Sequence, residues 1–499
     1  MKDKLAQLKN LIIRPQEHSL KLKSMRAALW SFLEKGCSHA LRIIGSLILT
    51  RILFPEAFGI MATSHIVIVM IQLFTDVGVK TAIVQNPKGA HREFLDTAWV
   101  ICAARGVLLA LAVVLLAWPL SSYYNQPEIK GILMILALSP LFLGFENPAV
   151  MVLIKNFRVE KKVILELTSQ PLGLVTTIIL AYLMQSVYAL AIGASLSSLY
   201  RVAGSYLVDP YRPRLRIDKT FGLEIFHFGK FIFINTMVSF TAMNIDILMI
   251  GKILPMKDLG LYSLGKNIGQ LIWIVCLQVF VQSYMPAVSS VYHDIPRIVR
   301  MYQRSVTLIL ALTIPLSMIF ALFAHDIIGI LYDPRYQDAS ISMLWFSLSG
   351  IFLVFIAINT NTFIAMGKPV YETMAMATGA LFIVVLIPAG TGLFGLHGAA
   401  GGMFVSIVII ASVQTINLKR AFGFPLSTLI HPWIQILSVG AAVFSIHYLL
   451  CPLLSSRVFL NIPFMIIMSM IALLVSVALY LLREGGNPFR DYMPANKEG

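Results

Sequence analysis

A chain of 499 residues, 58% of them hydrophobic and 13% charged, with a mean hydropathy of +0.81, is solvated mainly by lipid. A soluble globular protein carries roughly 25% charged residues. The formal net charge of +15 would suggest nucleic acid on a soluble protein, but on this composition it reports orientation in a bilayer, and no nucleic-acid partner is expected. In chain order, residues 1–26 are basic and only partly apolar, with no long apolar run leading to a small-residue cleavage site. They read as a cytoplasmic N-terminal segment rather than a cleaved signal peptide. Residues 4–13 fit either an amphipathic segment on the leaflet or a disordered tail. Apolar runs of about the length a bilayer needs, roughly 20 residues, then recur along the whole chain. They lie at 27–53, 57–80, 95–120, 129–151, 163–184, 187–207, 228–253, 260–286, 301–324, 340–366, 369–389, 395–417, 429–450 and 459–482. The expected fold class is therefore an all-α polytopic membrane protein of about 14 transmembrane helices.

The spans group into an N-terminal six-helix bundle at 27–207, a cytoplasmic linker at 208–227, and a C-terminal six-helix bundle at 228–417. An appended helix pair at 429–482 and a cytoplasmic tail at 483–499 complete the chain. The linker carries Arg212, Arg214, Arg216 and Lys219 with two prolines that stop helix, and reads as hinge-like. With the basic N-terminus placed in the cytoplasm, the outer loops hold only Lys130, Lys257, Arg335 and Arg457. That asymmetry follows the positive-inside rule, puts both termini in the cytoplasm and requires an even number of spans. The four cysteines, Cys37, Cys102, Cys276 and Cys451, have neither metal-ligand nor disulfide-framework spacing. No cofactor or metal is expected.

The two bundles look related. TRILFPEAFGI at 50–60 aligns without gaps to GKILPMKDLGL at 251–261, an offset of 201. Arg51 meets Lys252, and Gly59 meets Gly260. Six spans separate the copies, so the halves would share an orientation, as in a parallel repeat about an axis along the membrane normal.

The pattern Arg51-Ile-Leu-x-Pro55-x-x-Phe58-Gly59, followed by Asp76-x-Gly78, resembles the start of Wzx-type polysaccharide transporters. These belong to the superfamily of the multidrug and toxin extrusion (MATE) transporters and the lipid II flippase. The resemblance implies two six-helix bundles around a central cavity, working by alternating access. It implies as cargo an undecaprenyl-pyrophosphate-linked oligosaccharide, flipped across the bacterial inner membrane for surface or exopolysaccharide biosynthesis. A polysaccharide polymerase and export machinery are the partners that follow.

The first span raises an energetic problem. Its eleven Leu, Ile and Phe residues favour insertion by about 5 kcal/mol, while Glu34, Lys35 and Arg42 oppose it by about 8–10 kcal/mol. At about 100° per residue, Ser31, Lys35, Ser38, His39, Arg42 and Ser46 share one stripe that must face protein or water. Lys35, His39 and Arg42 are therefore candidates for binding pyrophosphate or sugar in the cavity, Arg offering a planar fork and Lys a point charge. Glu34 either neutralises Lys35 or a base on another helix, or takes part in coupling. Arg105 lies too deep in the third span to reach the interface easily and joins the candidate cavity. So do Lys266 in the eighth span and Asn235 in the seventh, where Asn235, Ser239 and Asp246 share a stripe. Asp246 is the candidate for a coupling proton or cation. More local roles are expected elsewhere: Asp76 pairs with Lys80, Arg201 snorkels, and Glu146 and Glu166 pair with an arginine.

Two other functions stay open. A cation-coupled MATE-type drug exporter would favour acidic groups deep in the cavity, where this stripe is basic. A membrane-embedded polysaccharide polymerase or glycosyltransferase would need a substantial surface loop, and the loops here are short. No phosphate loop, clustered metal site or nucleophile motif stands out, so no enzymatic activity is expected.

Overall fold

The computed structural model describes residues 20–75 and 78–450. Asp76, the span expected at 459–482 and the tail at 483–499 lie outside the described residues, as does most of the N-terminal segment. Every regular element among the described residues is a helix, and eight helices are long and apolar enough to cross a membrane. The protein is an all-α, multi-pass membrane protein.

The first helix, α1 (Leu20–Ile52), is not among those eight, because Glu34, Lys35 and Arg42 interrupt its apolar run. A two-residue break leads into α2 (Pro55–Phe74), with Pro55 at the first helical position, where its missing N–H costs nothing. In the second half, α10 (Lys219–Ile253) and α11 (Met256–Gly269) meet at an equivalent break. Both the helix ends and the restarts keep the offset of 201 read from the sequence. Arg51 and Lys252 stand in the last turns of α1 and α10, where a cation complements the negative end of the helix.

The short α3 (Val79–Gln85) follows, then α4 (Arg92–Tyr124). The expected fourth span is not one helix but three: α5 (Pro127–Leu136), α6 (Leu138–Gly144) and α7 (Ala149–Lys155). Pro148 disfavours helical backbone at Asn147, and the break puts Glu146 and Asn147 in the interior. Gly106 of α4 and Gly144 of α6 meet so closely that a Cβ on either would lie within 3.0 Å of the other backbone. The pair α8 (Val159–Met184) and α9 (Tyr188–Val208) completes this half, and α1 packs along α8. The chain divides into two compact units, Met1–Met237 and Val238–Gly499.

In the second unit the expected eighth span breaks at Gln270 into α11 and α12 (Leu271–Ser289). Next come α13 (Ile295–Leu322), the short α14 (Ala324–Leu331) and α15 (Ala339–Ala365). Helix α15 is the core of this unit, packed on α11, α12, α13 and α16 (Val370–Phe422). Helix α16 joins the two spans expected at 369–389 and 395–417, with its backbone leaving helical geometry at Gly395 (φ 56°). Buried polar side chains pin these helices: the Tyr302 hydroxyl donates to Asn359 at 2.8 Å, and Gln414 to Thr360 at 3.1 Å. Finally α17 (Leu426–Leu450) lies on α13, with Gln435 donating to the Thr307 carbonyl at 3.0 Å.

Candidate functional site

The polar stripe of α1 divides into two faces. Glu34 accepts from Lys162 of α8 at 2.8 Å, both side chains largely buried, so its partner is a base on another helix and not Lys35. Gly45, three turns further along, lies against Leu174 of the same helix. Lys35 and Arg42 instead stand exposed, and Arg42 approaches His39 Nδ1 at 2.9 Å. On a helical projection they lie opposite Leu33, Ile44 and Ile48, whose exposed apolar side chains are suited to lipid. Contact with α8 thus occupies one flank of the helix, exposed apolar residues occupy another, and the basic groups sit on a third.

Arg105 has a different position. It donates to the Gln72 carbonyl at 2.5 Å and to the Thr75 hydroxyl at 3.1 Å, which places a cation on the C-terminal end of α2. The orphan carbonyls and partial negative charge of that end account for this arrangement.

A second set of charges lies deeper in the first unit. Glu146, in the break between α6 and α7, accepts from Arg201 Nε at 2.9 Å and from Lys80 at 3.2 Å. Arg201 Nη1 reaches Glu166 at 2.8 Å, and Gln170 donates to Glu166 at 3.4 Å. Arg201 therefore does not snorkel; it joins the two buried glutamates, each expected from the sequence to meet an arginine. Lys80 pairs with Glu146, while the expected partner Asp76 lies outside the described residues.

The linker is tied to this unit. Asp96 Oδ1 accepts from the Tyr211 hydroxyl and, at 3.0 Å, from the Arg214 backbone N–H. The Asn147 side chain donates to the Tyr211 carbonyl at 3.1 Å, and the Asp218 N–H to the Thr97 hydroxyl at 3.0 Å. Burial and the bond to Asp96 hold the Tyr211 phenol well above its ordinary pKa. Residues 209–218 are thus a fixed strap on the first unit rather than a loose tether.

In the second unit, Lys266 and Asp246, separate candidates in the sequence, form one buried ion pair at 2.6 Å. Asp246 is fully buried, and its Oδ2 also accepts from the Tyr262 hydroxyl at 2.6 Å. Lys266 donates to the Met243 carbonyl at 3.1 Å and lies 5.5 Å from the centre of the Phe346 ring. Gly265 allows this approach: a Cβ there would sit 2.3 Å from the Ala339 carbonyl. The pair had a sequence signal, since the two charges lie at comparable distances either side of the α10–α11 turn and an antiparallel hairpin brings such positions together. Asn235 is on α10 with its side chain outside the described residues, as are those of Gln278 and Gln282 on α12.

Comparison with known proteins places the architecture. The lipid II flippase MurJ, in an inward closed conformation, superposes with a TM-score of 0.73 over 91% of this chain and 99% of that chain, at 12% sequence identity. An inward-facing multidrug resistance MATE family transporter of the MOP superfamily follows at 0.62 over 77% of this chain and 94% of its own, at 14% identity. The fold is that of these transporters. Among curated relatives, the succinoglycan biosynthesis transport protein ExoT of Rhizobium meliloti (strain 1021) is 26% identical over 53% of each chain. The lipopolysaccharide biosynthesis protein WzxC of Escherichia coli (strain K12) is 18% identical over 64% of this chain and 65% of its own. The chain thus spans about half to two thirds of the length of these relatives. The polysaccharide biosynthesis protein family model matches residues 48–341, from the end of α1 into α15, which is well over half of the sequence, and the chain belongs to that family.

Proposed function

We propose that this protein flips an undecaprenyl-pyrophosphate-linked oligosaccharide from the inner to the outer leaflet of the bacterial inner membrane, by alternating access, for surface or exopolysaccharide biosynthesis. The observation that carries the reading is the placement of Lys35 and Arg42, exposed on α1 and opposite the helix's apolar flank. Charges there are affordable in a membrane protein only where water or an anionic group meets them. A pyrophosphate supplies the matching charge and acceptors. Family membership, the transport and biosynthesis names of the relatives, and a fold shared with a lipid II flippase support the same reading. A polysaccharide polymerase and export machinery are the proposed partners, and both termini are proposed to be cytoplasmic. The chain is read as a transporter without catalytic residues of its own.

Within this reading, His39 orients Arg42, and Arg105 shapes the cavity by holding the end of α2. Asp246 and Lys266 act as a unit, and their ion pair is the proposed element through which a proton or cation is coupled to transport. Glu34 is occupied by Lys162 and serves structure rather than coupling. Asn235 remains a candidate for a sugar contact.

The test is export of surface polysaccharide in cells carrying Lys35→Ala or Arg42→Ala, with membrane abundance measured in parallel. Both variants are expected to reach the membrane at ordinary levels and to lose most export. Normal export in both would overturn the proposed basic cavity.

A further inference from the structure

We infer that the groove between the end of α16 and the start of α17 is a binding site for an anionic phospholipid of the surrounding bilayer. The turn joining the two helices passes through Gly423 in left-handed conformation (φ 67°), and a groove of about 700 Å³ opens beside it. That volume lies within the roughly 300–1,000 Å³ typical of small-molecule sites. Its walls are Ile416, Leu426, Leu429, Ile430 and Trp433. The hydroxyls that also line it are already spent: Ser412 donates to the Val408 carbonyl at 2.8 Å and Thr415 to the Ala411 carbonyl at 2.7 Å. What remains is an apolar slot suited to an acyl chain.

The mouth of the slot is cationic. Lys419 and Arg420 line it, both exposed and without a carboxylate partner among the described residues. Among the described residues, no acidic one lines the groove. Nor are these two cations needed to cap α16. The Lys419 carbonyl takes the Gly423 N–H at 2.9 Å, and the Ala421 carbonyl takes Lys368 Nζ at 2.8 Å. Two cations at one end of an apolar slot match a phosphate headgroup above an acyl chain, as in basic pockets between transmembrane helices that hold anionic lipids. The wall is held in place, because Trp433 packs on Phe352 and Phe355 of α15 at ring distances of 5.7 and 6.0 Å. The site therefore exists before lipid enters it, and its residues are distinct from those of the proposed cargo site on α1.

Two measurements on the purified full-length protein test this. In native mass spectrometry with added phosphatidylglycerol or phosphatidylcholine, phosphatidylglycerol is expected to be retained preferentially. The double variant Lys419→Gln/Arg420→Gln is expected to bind it about 30-fold more weakly, the factor two basic side chains supply beside an anionic headgroup. Phosphatidylcholine binding should be unchanged. In the second measurement, phosphatidylglycerol with brominated acyl chains should quench tryptophan fluorescence in the wild type and quench less in Trp433→Phe, a variant that keeps both cations. Equal retention of the two lipids, or quenching that does not depend on Trp433, would overturn the inference. So would undecaprenyl phosphate occupying the groove in a way that phosphatidylglycerol cannot displace, since the occupant would then be an isoprenoid and not a bilayer phospholipid.

Discussion

The two units treat buried charge in opposite ways. In the first, four charged groups on three helices and a helix break share the burden: Lys80, Glu146, Arg201 and Glu166. Lys80 remains 58% exposed, so the set keeps one foot in solvent. In the second unit, Asp246 and Lys266 have no further charged partner among the described residues, the fully buried carboxylate accepting from Tyr262 and the ammonium lying against the Met243 carbonyl and the face of Phe346. A network spreads the loss of one member over the rest. A dry pair cannot, because the survivor is left charged in a low-dielectric interior.

The largest expected effect is therefore in the second unit. Lys266→Met strands Asp246 and should lower stability by about 3–5 kcal/mol, read as a fall in apparent Tm of the detergent-solubilised protein. Adding Asp246→Leu should restore most of it. If the single variant melts like the wild type, the contrast between the units collapses. Next comes Arg201→Met, which removes the cation shared by Glu146 and Glu166 and leaves Lys80 on Glu146 and Gln170 on Glu166. Partial access to solvent reduces the cost to about 2–3 kcal/mol, and adding Glu166→Gln should recover a large part. A loss equal to that of Lys266→Met would show that the network shares nothing.

A smaller effect is expected at the strap. Tyr211→Phe removes one hydrogen bond to the buried Asp96 and should cost about 1–2 kcal/mol, with faster proteolysis or hydrogen exchange confined to residues 209–218. The pH dependence has a definite sign. The Tyr211 pKa is raised in the folded protein, chiefly by burial and then by Asp96. Its contribution is thus intact below the ordinary tyrosine value near 10 and is lost as the pH climbs above it. The smallest effect on stability belongs to Lys35→Ala and Arg42→Ala, within about 0.5 kcal/mol because neither side chain is packed, although these are the variants expected to lose export. A large drop in their Tm would return α1 to a structural role.

What the sequence revealed, and what it hid, follows from the range of the interactions. The amphipathic division of α1 was legible because it is written within one helix at a fixed angular step. The repeat was legible because the α1–α2 and α10–α11 breaks use the same short stretch, and both helix ends keep the offset of 201. The division of 129–151 into three helices was signalled only by Pro140 and Pro148, residues that an apolar run tends to mask. Lys162 as the partner of Glu34 lay beyond reach, since 128 residues separate them and no local pattern links α1 to α8. The bonds from Arg105 to the Gln72 carbonyl and the Thr75 hydroxyl were hidden for a different reason: neither a backbone carbonyl nor a hydroxyl shows in a charge pattern.

The strap at 209–218 has a consequence for biosynthesis. The helix residues it grips, Asp96, Thr97 and Asn147, precede it in the chain. By the time Asp218 leaves the ribosome, these three groups have already been made. The first unit can thus close its own account before a single residue of α11 to α17 exists. Assembly of the second unit then follows that of an already strapped first unit, and an error in the later helices need not undo the earlier ones.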